Sequence, residues 1–248
     1  MRCAACVGIS LAIVLTLAVT PALAYRPFDS TDADVAGKSE FELELGPLGS
    51  LRDTGNRYWV ATAVVANFGL PGDRELVLQG QRQQSRDGGP DVPATSVVNT
   101  GAFIKQILRR GALQDAEGPS VATEYGLLLP TINDEHGAGF SWAGIVSQRR
   151  PYGTAHLNAE IAYTRAHKPG AFLGAILEGP YEWAVRPVME LTVEQESGAE
   201  RTISRLVGLI WHKQENLSFD IGVRSAYGGD RHVNELRIGF TWNLSLHK

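Results

Sequence analysis

The chain has 248 residues, a formal charge of −4 and two cysteines, Cys3 and Cys6. That balance gives no electrostatic reason to expect nucleic acid, and any long-range pull favours cations weakly. Both cysteines sit in the first few residues, which excludes a disulfide scaffold, a thiolate metal site and a cysteine nucleophile from the remainder.

Over residues 1–24, Arg2 precedes an apolar run at 7–23 that closes on Ala22-Leu23-Ala24, an ending of the small-x-small kind. The pattern predicts a cleaved signal peptide, since the run is short for a retained span and lacks a basic flank after it. Residues 25–38 follow as an expected N-terminal periplasmic arm. Asp29, Asp32 and Asp34 cluster there, but a calcium loop alternates its ligands around a glycine at a sharp turn, so a solvated arm tucked under or into the mouth of the following fold is expected.

From 39 to the end, alternation and turn signals predict about twelve strands, at 39–47, 57–69, 74–84, 97–108, 120–129, 139–148, 154–165, 171–179, 183–195, 202–212, 217–227 and 234–246. The last is the clearest. Leu236, Ile238, Phe240, Trp242, Leu244 and Leu246 alternate with Glu235, Arg237, Gly239, Thr241 and Asn243, and successive strand side chains point to opposite faces. In the same way Glu40, Glu42 and Glu44 interleave with Phe41, Leu43 and Leu45, and Glu75, Val77, Gln79 and Gln81 with Leu76, Leu78 and Gly80. His156, Asn158 and Glu160 oppose Leu157, Ala159 and Ile161; Glu190, Thr192 and Glu194 oppose Met189, Leu191 and Val193; Asp220, Gly222 and Arg224 oppose Phe219, Ile221 and Val223. The strands at 97–108 and 139–148 do not sort cleanly, so their register stays open.

No stretch after the signal holds the roughly 18 apolar residues of a spanning helix; the longest candidate, 58–71, includes Asn67. A membrane crossing would be made by strands. The connections at 69–73, 150–153, 180–182 and 213–216 are tight, whereas 85–93 and 132–137 are freer and glycine-rich. An even strand count puts both termini on one side, periplasmic in a Gram-negative outer membrane, with the tight turns beside them. The connection at 109–118 is long and that at 166–170 short for this scheme.

Alternation has no sign of its own, because a soluble barrel or sandwich turns the same apolar face inward. Export signal, missing cysteine, regular strands and an aromatic terminal strand together predict an all-β fold: an antiparallel transmembrane β-barrel over 39–248, in the cell outer membrane. An exported soluble β-domain is the alternative.

The order of features also resembles an outer-membrane barrel family named after the MetA pathway of phenol degradation and described as transporters. The carriers are the run from Arg26 to Asp34, Glu40-Phe41-Glu42-Leu43-Glu44, Leu129-Pro130-Thr131 before Gly137-Ala138-Gly139, His156-Leu157-Asn158 with Tyr163-Thr164-Arg165, Met189-Glu190-Leu191, and Asp220-Ile221-Gly222-Val223-Arg224. The resemblance implies a membrane barrel with a transport role, names no cargo and carries no catalytic residues.

The candidate lumen lining is acidic Glu40, Glu42, Glu44, Glu75, Glu124, Glu160, Glu190, Glu194, Asp220 and Glu235, basic Lys105, Arg186, Arg224 and Arg237, with His156 and Asn158. Enclosed charges must be paired or hydrated, so either ion-pair ladders fill the lumen or it is a wet channel, and the acidic excess favours cations. Glu40, Glu42 and Glu44 are expected to lie close to Glu235, because closure pairs the first and last strands. His156, Asn158 and Glu160 lack a recognisable nucleophile spacing, and Gly137-Ala138-Gly139 lacks the following helix of a nucleotide cradle. No catalytic residue, cofactor or metal is therefore assigned. The expectation is a porin-like channel or transporter for small solutes of unknown identity, whose partners are outer-membrane lipid and the barrel-assembly machinery. A structural or surface-binding barrel is the first alternative and an outer-membrane hydrolase the second.

Overall fold

The computed structural model describes residues 26–87 and 92–246; the expected signal peptide lies outside them. Among the described residues the chain forms β1 (Glu40–Asp53), β2 (Asn56–Leu70), β3 (Arg74–Ser85), β4 (Thr95–Arg109), a 3-10 turn η1 (Ala112–Gln114), β5 (Ser120–Leu128), β6 (Gly139–Arg150), β7 (Gly153–Tyr163), β8 (Pro169–Glu178), β9 (Val185–Glu196), β10 (Thr202–Gln214), β11 (Leu217–Gly228) and β12 (Arg231–Ser245). Each strand pairs antiparallel with its neighbours in sequence, and β1 pairs with β12, closing the sheet into a barrel with no free edge. Closure removes the unpaired backbone groups that an edge strand would present to lipid. β1 begins and β12 ends at one rim, called here the terminal end; the other rim is the distal end.

Alternation acquires its sign in the exposures. On β11 Phe219, Ile221 and Val223 are exposed while Asp220 and Arg224 are buried; on β7 Leu157 and Ile161 are exposed while His156, Asn158 and Glu160 are buried. This is the inverse of a water-soluble barrel. Apolar side chains facing outward all around a closed sheet constitute a surface stable against lipid, where burial of that area is regained. Trp211, Phe219 and Phe240 extend it as neighbouring rings, with centroids 5.7 and 6.3 Å apart.

β1 runs six residues beyond its expected end at 47. Pro47 has no backbone N–H, which argues for a strand end, yet a register shift against β12 between Leu45 and Leu48 absorbs the defect and the strand resumes. It then turns through Thr54 and Gly55, both at positive φ (45° and 98°), a two-residue hairpin that favours glycine at its second position. β4 and β6 resisted sorting for structural reasons. β4 is broken in phase by a register shift opposite Gln79 to Gln81, with Asn99 at a φ of 54°, and below it Phe103 packs inside the barrel on Val77 and Leu128. β6 turns Ser141, Ala143, Ile145 and Ser147 inward and exposes Phe140, Trp142 and Val146. Its inner face carries small uncharged side chains, two of them serines, and Ile145 packs on Ala33 and Leu113.

Candidate functional site

The interior is not lined by strands alone. Residues 26–36, expected as a solvated arm, lie within the barrel and bond to side chains from most of its strands. Beside β1 and β11, the Arg26 N–H donates to Glu44 and its guanidinium to both oxygens of Asp220, at 3.1 and 3.2 Å. The N–H groups of Asp29 and Ser30 converge on the Glu190 carboxylate of β9, at 3.0 and 2.7 Å. Thr31 exchanges two bonds with the Asn158 side chain of β7, the Ala33 N–H donates to Ser147 of β6, and the Ala36 N–H donates to Glu75 of β3. The segment forms neither helix nor strand; the Asp34 and Val35 N–H groups donate to the carboxylates of Asp32 and Asp34, and the other N–H groups named above find their partners outside it. The inward polar side chains supply those partners.

Space for the arm is built into the walls. Gly174 and Gly222 face Ser30 and Pro27 so closely that a side chain at either would press on the arm. Apolar anchoring comes from Phe28, which packs with Ile176, Val188, Leu206 and Ile210, and from Ala33, which packs with Leu113, Ala122 and Ile145. Leu113 belongs to η1, in the long connection between β4 and β5. Gln114 of the same turn donates to the Ala33 carbonyl at 2.9 Å. This is why that connection is long for a terminal-end turn: it folds inward and locks the arm.

Two aspartates of the arm, Asp29 and Asp32, are compensated by cations rather than solvated. Asp29 meets Arg224 and Arg237, each at 2.6 Å, and Asp32 meets Lys105 at 3.2 Å. Burial alone would push the Asp29 carboxyl up, but the two guanidinium groups hold it below its ordinary range. Arg237 also donates to the Pro27 carbonyl and to Glu235.

One group brought together by the fold had no signal in the sequence. Ser147 Oγ lies 2.7 Å from His156 Nδ1, and His156 Nε2 lies 2.9 Å from Glu178, whose second oxygen is 2.9 Å from Arg186. Arg186 in turn donates to His212. Ser147 and Glu178 lie on the strands either side of β7 and reach His156 only through cross-strand register, which residue spacing does not reveal. A serine, a histidine and a carboxylate in line have the composition of a hydrolytic triad. Here Ser147 is fully buried and its oxygen accepts the Ala33 N–H, so the row serves as an anchor for the arm. With the serine hydroxyl donating to Nδ1, the hydrogen-bond pattern assigns the imidazole proton to Nε2.

Above the arm a vestibule of about 470 Å³ extends to the distal loops; Arg26, Pro27, Phe28 and Asp29 contribute to its floor, and Val60, Val98 and Val233 to an apolar flank. Arg231 pairs with Asp53 at 2.6 Å, and Arg165 lies 3.6 Å from Glu135. Arg165 also donates to the carbonyls of Leu129 and Thr100, tying the loop after β5 to the wall.

The sequence-selected residues fall into three sets. Glu44, Glu75, Lys105, Asn158, Glu190, Asp220, Arg224 and Arg237 touch the arm directly, while His156 and Arg186 support it through Ser147 and Glu178. Glu124 is buried opposite Lys105, and Glu42 and Glu44 share the Asn67 amide. Glu160, Glu194 and Glu235 lie distally, and Glu40 is exposed at the terminal mouth, accepting from the Gly37 N–H. The expected gathering of Glu40, Glu42 and Glu44 beside Glu235 does not form. β1 pairs with β12 in a register that sets Glu42 against Asn243 and Glu44 against Thr241, while Glu235 opposes Leu51. Six residues of strand, about 20 Å, separate Glu235 from the position opposite Glu44.

No protein-family model matches the sequence, and no curated protein matches it. Among solved structures the chain is similar to an outer membrane channel, COG4313, from Pseudomonas putida F1, with a TM-score of 0.58, 9% identity, and coverage of 88% of this chain and 100% of that one. It is also similar to the KdgM porin, with a TM-score of 0.55, 8% identity, and coverage of 82% and 98%. At such identities the likeness is one of fold: a closed antiparallel barrel of the outer-membrane channel type.

Proposed function

We propose that this protein is an outer-membrane channel for small solutes whose lumen is closed, in the state described, by its own N-terminal arm. The observation that carries the reading is an apolar outer face around a charged interior, with the arm seated across that interior beneath a distal vestibule. The terminal end, where β1 begins and β12 ends, is then periplasmic and the vestibule faces outward. Likeness in fold to the COG4313 channel and the KdgM porin supports this assignment, and motif order supports membership in the MetA-pathway phenol-degradation family. The acidic excess of the interior favours cations, and nothing in the site calls for an enzymatic step.

Planar-bilayer recording tests the proposal. The full chain should give small, cation-biased conductance, and deletion of residues 26–36 should raise it several-fold. A deletion variant that assembles with heat-modifiable mobility but conducts no more than the full chain would show that the arm does not limit flow. A barrel silent in both forms would favour the structural or surface-binding reading.

A further inference from the structure

On the distal wall, where β7, β8 and β9 meet, a side recess of about 20 Å³ is bordered by Glu160, Glu194, Glu196 and Phe172. Glu194 also lines the vestibule, so the recess and the larger cavity share that residue. Cross-strand register sets the local geometry: Phe172 stands opposite Glu160 on one side and Glu194 on the other. The phenyl ring is thus flanked by two carboxylates on one face of the sheet.

The arginines of the vestibule are already engaged. Each faces an acid: Arg26 meets Asp220, Arg165 meets Glu135, Arg224 and Arg237 meet Asp29, and Arg231 meets Asp53. Glu160 is only 6% exposed, yet among the described residues neither it nor Glu194 has a hydrogen bond or ion pair. One oxygen of Glu196 lies 3.5 Å from the Lys168 ammonium, and its other oxygen is buried without a hydrogen-bond partner. Of the three carboxylates, only Glu196 has an ion pair among the described residues. Buried charge is costly until it is paired, so the recess will favour an entering cation.

Size and chemistry narrow the cation. A recess of about 20 Å³ takes roughly one water-sized group, the size of a primary ammonium. An aromatic ring at its border adds attraction for a cation. Among the described residues no group of histidine, cysteine and carboxylate side chains is arranged to hold a metal ion. The adjoining vestibule, at about 470 Å³ and with its apolar flank, has room for a small organic body. We infer that the vestibule binds small primary amines, the ammonium seated between Glu160 and Glu194 and the apolar body lying in the larger cavity. This deepens the channel reading by naming the class of solute, and it rests on that reading for its physiological meaning.

Isothermal titration of the full chain in detergent at pH 7.5 tests the inference with benzylammonium, benzyl alcohol and benzoate, which share a ring and differ in charge. Benzylammonium should bind, the alcohol at least tenfold more weakly, and benzoate not at all. Glu160→Gln and Glu194→Gln should each weaken benzylammonium about tenfold while retaining heat-modifiable mobility. Equal binding of benzoate, or unchanged binding of benzylammonium by both assembled variants, would overturn the inference. If a variant fails to assemble, the ranking of the three probes on the wild-type barrel decides. Conductance of the same preparation separates the two readings. A conducting barrel that ignores benzylammonium sinks the amine site and leaves the channel, whereas a barrel that binds it but is silent both with and without residues 26–36 keeps the site and sinks the channel.

Discussion

The two halves of the lumen are made by the same strands from the same residue types, yet they are in different physical states. In the terminal half, Glu190, Asn158, Glu75 and Lys105 spend their hydrogen-bonding capacity on the arm, and Phe28 and Ala33 anchor apolar clusters among them. In the distal half the walls stand back around a cavity, and among the described residues the carboxylates of Glu160 and Glu194 have no hydrogen bond or ion pair. A polar inner face does not by itself make a pore. It becomes a packed core wherever a second segment can satisfy its donors and acceptors, and stays a cavity where none reaches.

The contrast is sharpest at ion pairs of like chemistry. Asp29 sits between Arg224 and Arg237 where the arm floors the vestibule. Asp29→Ala leaves two buried guanidinium groups short of a partner and should weaken arm docking by about 3 to 5 kcal/mol. The readout is faster hydrogen exchange at the Ser30 and Thr31 amides. Exchange as slow as in the wild type would mean that the apolar anchors alone hold the arm.

The barrel wall offers a comparison between neighbours in sequence. Arg237 points inward to Asp29 and Glu235, while Ile238 belongs to the outer face and opposes Leu48 and Ile221. Ile238→Arg moves the same charge by one residue and should cost about 2 to 4 kcal/mol near the bilayer midplane. A folding titration into lipid vesicles measures it, with Thr241→Arg, on the inner face, as the milder control. Equal tolerance of both would mean that the outer face does not meet lipid.

The smallest effect is expected at the distal rim. Arg231 and Asp53 form a pair as short as those of Asp29, but their side chains retain 28% and 19% exposure. Arg231→Gln should change stability by no more than about 1 kcal/mol in the same titration. A loss as large as that of Asp29→Ala would show that the rim is as dry as the filled half, and that the comparison between halves is one of shape alone.

Much of the fold was legible because strand alternation is local. The segments read at 74–84, 202–212 and 217–227 correspond to β3, β10 and β11, each within two residues at either end. β1 was read short because Pro47 is a genuine local signal for a strand end, and only pairing with β12 on one side and β2 on the other carries the strand past it. β4 and β6 were illegible on different grounds: a register shift changes the phase of β4, and the inner face of β6 carries no charge to contrast with its outer face, Ile145 packing on Ala33 and Leu113. Within the candidate site, alternation separates His156, Asn158 and Glu160 from Leu157 and Ile161. It gives no sign that Ser147 and Glu178 stand either side of His156.

The amino-acid sequence by itself determined which side chains share a face, since that depends only on the two-residue period of an extended backbone. It also determined where tight turns are possible, because glycine and proline act through their own backbone geometry. Which face meets water, which carboxylates are paired, and whether the interior is filled were decided by the tertiary structure. Those outcomes rest on contacts across the closed barrel, such as Asp29 with Arg224 and Arg237, or Ala33 with Ser147, between residues more than a hundred positions apart. An aspartate in an arm has the same local chemistry whether it is solvated or held between two arginines. Only closure of the sheet around the arm brings those charges within reach of one another.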